Sequence, residues 1–111
     1  MYRKPERRTV LIANGATDSA EIELGPYSLA GFITPAALTA TSFTLKVCNT
    51  RGGTYVALYD SDGNQIAIPV AASLAYGLVG ADADATAPWQ FVKLVSSAPE
   101  GADRTIEVVL K

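Results

Sequence analysis

Apolar and polar side chains alternate along residues 42–70, SFTLKVCNTRGGTYVALYDSDGNQIAIPV, and this pattern sets the fold class. Phe43, Leu45 and Val47 interleave with Thr44, Lys46 and Cys48, a period of two that turns one face of a strand to a core and the other to solvent. Arg51-Gly52-Gly53 and Asp60-Ser61-Asp62-Gly63-Asn64 supply chain reversals on either side of a second apolar run. The stretch therefore predicts three antiparallel strands, over Ser42–Cys48, Thr54–Tyr59 and Gln65–Val70.

The same reading extends outward. Thr9–Ala13 is a first strand ended by the turn dipeptide Asn14-Gly15. In Ser19–Leu24, Ala20, Ile22 and Leu24 are expected on one side and Glu21 and Glu23 on the other. Tyr27–Thr34 is stopped by Pro35, and Ser73–Leu78 is a further candidate. Trp89–Ser96 is almost continuously apolar, which leaves its facing open, whereas Arg104–Leu110 turns Ile106, Val108 and Leu110 inward. Pro35–Ala40 alone has helical composition; it is too short for a stable helix and predicts a turn or single helical loop between sheets. Gly80–Pro88 reads as an acidic surface loop. Eight or nine short strands spaced about ten residues apart predict an all-β, antiparallel β-sandwich or barrel. A jelly-roll wiring, which pairs early strands with late ones, is the favoured sandwich. The predicted core is Ile22, Leu24, Phe32, Phe43, Leu45, Val47, Leu58, Phe91, Leu94, Ile106 and Val108.

Length adds that this is one domain, since 111 residues match a single ordinary domain with one core. Charge adds an asymmetry. In residues 1–8, Arg3, Lys4, Arg7 and Arg8 against Glu6 give +3, while the remaining five Lys/Arg against ten Asp/Glu give −5. The organisation expected is a basic N-terminal arm over 1–8 joined to a single β-sandwich domain over 9–111. Arg3, Lys4, Arg7 and Arg8 are the candidate partner-binding residues; the alternative is a solvated terminus. An acidic body makes nucleic acid an unexpected partner. Val10–Ala13 is too short for the roughly 7–15-residue apolar region of a signal peptide, so synthesis in the cytoplasm is expected. No run approaches the roughly 20 apolar residues of a membrane helix.

Candidate chemistry is sparse. The chain contains no histidine, which removes imidazole general bases, histidine-based triads and most zinc sites together. The single cysteine, Cys48, has no partner for an intramolecular disulfide and reads as a small filler. Asp60/Asp62 and Asp82/Asp84 are the close acidic pairs in loops. The first superficially matches the start of a calcium loop, but its glycine comes too early, and turn formation explains it more simply. Tyr27, Tyr55, Tyr59, Tyr76 and Trp89 either form a stacking platform for a sugar or fill the core and interfaces. No catalytic, metal or cofactor-binding residue is expected, and no enzymatic activity.

One likeness goes further than these residues do. Gly31–Ala40 (GFITPAALTA), Phe43–Val47, Thr54–Asn64 and Phe91–Ser96 occur in an order that resembles a class of small β-sandwich structural proteins of tailed-bacteriophage virions. The resemblance spans roughly residues 17–110. It implies a virion location and a head decoration or cement role, stabilising the coat lattice through protein–protein contacts. The implied partners are the major capsid protein or other virion proteins, and a homo-oligomer, with a trimer favoured. A carbohydrate-binding β-sandwich in host recognition is the alternative.

Overall fold

The computed structural model describes residues 6–111, apart from the side chains of Ala81 and Ala83. Among the described residues nine strands form two antiparallel sheets: β1 (Glu6–Ile12), β2 (Ile22–Glu23), β3 (Leu29–Ile33), β4 (Ser42–Cys48), β5 (Val56–Ala57), β6 (Ala67–Pro69), β7 (Ala75–Gly77), β8 (Phe91–Ser96) and β9 (Arg104–Leu110). The first sheet has the order β1-β9-β3-β7. The second has the order β2-β8-β4-β5, with β6 also on β4. The first strand thus pairs with the last and the second with the eighth, and the two sheets make the antiparallel sandwich that the strand spacing predicts.

The inward faces carry the core. Val10, Ile12, Phe32, Ile106, Val108 and Leu110 of one sheet meet Ile22, Phe43, Leu45, Val47, Val92 and Leu94 of the other. Phe32 and Phe43 touch across the gap with ring centroids 5.4 Å apart. All eleven residues read from the sequence as core are buried. Phe91 is buried differently: it neighbours inward-facing Val92, so it lies on the outer face of β8, beneath the Arg51 guanidinium at 5.3 Å.

β4 and β9 match their sequence boundaries because burial alternates from Ser42 to Val47 in the first, with Cys48 also buried at its end, and from Thr105 to Leu110 in the second. Elsewhere tertiary demands shorten the strands. Ser19–Leu24 keeps only Ile22 and Glu23 as β2 because its start straddles the sheets. Ser19 N–H donates to Leu94 O at 2.8 Å in the second sheet, and Ala20 N–H to Leu11 O at 2.9 Å in the first. Ala20 consequently lies exposed, where alternation alone had put it inside. A register shift between Leu29 and Gly31 bends β3. Any side chain at Gly31 would place Cβ 2.4 Å from Tyr76 O, so the close approach of β7 requires glycine there.

The connection between β7 and β8 is more ordered than the expected loop. It contains a short helix, α1 (Gly80–Asp84), and then Thr86, which is fully buried and accepts Leu29 N–H at 2.9 Å. No helix of the described residues is long and apolar enough to cross a membrane.

At the far end Glu100 joins three connections. Its carboxylate accepts from Thr39 N (2.8 Å), Ala40 N (3.0 Å), Ser96 Oγ (2.8 Å) and Arg104 Nε (3.0 Å). Its backbone bonds Gly15 and Ala16 in the β1–β2 connection. Burial pushes its pKa upward, but the donors from Thr39, Ser96, Arg104 and Ala40 outweigh that and hold it below the usual glutamate range. Pro35–Ala40 forms no helix; the Thr39 and Ala40 amides go to this carboxylate instead.

Candidate functional site

The expected basic arm overlaps β1. Glu6, Arg7 and Arg8 pair with Leu110, Val109 and Val108 of β9, so an arm over 1–8 has its last three residues inside the sheet. Arg3 and Lys4 lie outside the described residues. The strand period sends Arg7 and Arg8 to opposite faces. Arg7 is exposed beside Glu107 on the outer face of the first sheet. Arg8 shares the facing of Val10; its guanidinium bonds Glu23 O of β2 and lies 3.4 Å from Glu6 Oε1. Arg8 therefore ties two edge strands of opposite sheets together, a structural task that a reading of charge alone misses.

The outer face of the second sheet carries a closed set of charges. Lys46 and Lys93 sit opposite each other in the β4–β8 register, a like-charge pair that needs compensation. Lys46 Nζ lies 3.1 Å from Asp18, and Lys93 Nζ lies 4.5 Å above the Tyr55 ring. Tyr55 hydroxyl bonds Glu21, which also accepts Gly52 N–H at 3.0 Å, and Arg51 pairs with Glu23 while covering Phe91. The hydroxyl of Tyr55 and the amide of Gly52 lower the Glu21 pKa, whereas burial and then Glu21 raise that of Tyr55. Three carboxylates and three cations satisfy one another here.

A different grouping lines a cleft of about 540 Å³ between the turn after β5 and the segment joining α1 to β8. Its walls include Tyr59, Asp60, Ser61, Asp84, Pro88 and Trp89. Tyr59 is 54% exposed, and Trp89 is partly buried against the core. Asp60 is held by its own turn: Oδ1 accepts from Asp62 N and Asn64 N, each at 2.9 Å, as a turn of that composition should.

The cleft gathers two of the five aromatic residues singled out in the sequence. Tyr76 instead stacks on Phe32 at 5.2 Å, Tyr55 belongs to the charged outer face, and Tyr27 packs partly buried on the core. A five-membered stacking platform is thus not assembled. Asp84 reaches the cleft from α1, a juxtaposition with Asp60 that no local pattern announces.

No family model matches the chain, and no curated protein matches it. Among solved structures it is similar to the crystal structure of SPBc2 prophage-derived protein YomS, with a TM-score of 0.56 and 13% identity. The alignment covers 100% of this chain and 98% of that one, so the shared fold extends over both from end to end.

Proposed function

We propose that this protein is a structural component of a bacteriophage particle, a decoration or cement protein that holds coat subunits together through protein–protein contacts. The observation that carries the reading is the end-to-end likeness to a prophage-derived protein of the same size and fold. Surface composition agrees with it. Leu11 and Ile33 on the outer face of the first sheet, together with Val56, Leu74 and Val79, are large apolar side chains between 41% and 75% exposed. An assembly partner would cover them. The outer face of the first sheet is the proposed contact surface, with Arg7 and Glu107 beside Ile33 and Leu11 as polar members of the patch, and a homotrimer is the proposed form on the lattice.

The direct experiment is peptide mass spectrometry on density-purified particles of the phage or induced prophage encoding the chain. The protein is expected in the particles at a stoichiometry set by the coat lattice. Its presence in the lysate but absence from purified particles would overturn the reading. Ile33→Asp is expected to weaken attachment while the isolated domain keeps its melting behaviour.

A further inference from the structure

We propose that the Tyr59–Trp89 cleft receives a cationic side chain, the guanidinium of an arginine or the ammonium of a lysine, presented by a partner protein. The argument begins with how this molecule treats its own cations. On the outer face of the second sheet, Lys93 lies over Tyr55 beside Glu21, and Arg51 lies over Phe91 while pairing with Glu23. Both are groupings of an aromatic face, a carboxylate and a cation, and both are complete within the chain.

The cleft repeats the first two members. Tyr59 and Trp89 supply aromatic surface, Asp60 and Asp84 supply carboxylates, and no lysine or arginine is among the described residues that line it. Every ion pair of the described residues uses Glu6, Asp18, Glu21, Glu23 or Glu100; Asp60 and Asp84 take part in none. The two turn bonds fix Asp60 through Oδ1 and leave Oδ2 for an incoming donor.

Charge chooses among occupants. A neutral sugar would stack on the rings but leave both carboxylates uncompensated. A bare metal ion would make no use of the aromatic walls. A guanidinium or alkylammonium answers both, through the ring quadrupole and charge-assisted hydrogen bonds. The proposal adds a recognition chemistry to the virion reading without depending on it: a peptide titration can fail while particle attachment stands, and the reverse.

Trp89 is the single tryptophan of the chain, so its fluorescence reports directly on the cleft. The experiment titrates the full protein with acetyl-Gly-Arg-Gly-amide and with the isosteric citrulline peptide. A saturable response to the arginine peptide is expected, weakened about tenfold or more by replacing the guanidinium with citrulline. Asp60→Asn/Asp84→Asn should cause a similar loss; asparagine keeps an Oδ1 acceptor for the turn, and an unchanged melting curve verifies the fold. Asp84→Asn alone, at an exposed position, should give part of the loss. Raising salt to about 0.5 M should weaken binding further. Equal binding of both peptides, full affinity in the double variant, no saturable response, or binding of maltose that the arginine peptide does not displace would each overturn the proposal.

Discussion

Glu100 and the Asp60/Asp84 pair carry the same functional group in opposite circumstances. The Glu100 carboxylate is buried and engaged by four donors from three segments of chain, while Asp60 and Asp84 stand at the wall of an open cleft. What separates them is the number of donors the fold delivers. Where the backbone converges, as at residues 39 and 40, a carboxylate becomes a structural fastening. Where the backbone meets only the acid of its own turn, the outer oxygen is left for something else.

Removing the fastening is expected to have the largest effect. Glu100→Ala leaves the Thr39 and Ala40 amides and the Arg104 guanidinium without their acceptor and should cost about 3–5 kcal/mol in urea unfolding. A loss below about 1 kcal/mol would put the two acidic regions on an equal footing and break the contrast. Thr86→Val tests the other end. It keeps the shape but deprives the Leu29 amide of its partner, and should cost about 1–3 kcal/mol by the same measurement.

The third prediction is a pH dependence. The native pKa of Glu100 lies below the unfolded value of about 4.3. The unfolded state therefore takes up a proton first as the pH falls. Its stabilisation is complete above that unfolded value and disappears as the pH drops through the depressed native one. Glu100→Gln should accordingly be less stable than wild type near neutrality, and the gap should narrow on acidification. A gap independent of pH would mean that charge plays no part in the fastening. The smallest effect belongs to the cleft: Asp84→Asn should change stability by no more than about 0.5 kcal/mol, its consequences appearing in binding alone.

The sequence reveals the layered fold most clearly where side chains alternate without interruption. Phe43-Thr44-Leu45-Lys46-Val47 and Thr105-Ile106-Glu107-Val108 encode both the strand and its facing, because burial on one side is a local pattern. It reveals less where one residue serves two sheets. The Ser19–Ala20 step breaks alternation for a reason that lies in Leu94 and Leu11, many positions away. Phe91 reads as core and is buried, yet nothing local says that Arg51 provides its cover. Glu100, in an ordinary proline-glycine loop, gives no sign of its task except the four-residue spacings to Ser96 and Arg104. Arg7 and Arg8 look equivalent as charges and become distinct once the strand assigns them opposite faces. The cleft was legible only in fragments: Tyr59 and Trp89 as aromatics, Asp60 as a turn residue, Asp84 as loop polarity.

The adjacent amides of Ser19 and Ala20 grip different layers, so that rim of the sandwich behaves like a rivet. Opening the layers like a book, or sliding one along the other, pulls on both bonds at once, because they leave the successive peptide units that flank the single Ser19 Cα. Neither sheet can loosen there without dragging on its neighbour. Amide exchange at these two positions should therefore follow one shared opening event, with a common rate-limiting barrier, in place of two independent frayings.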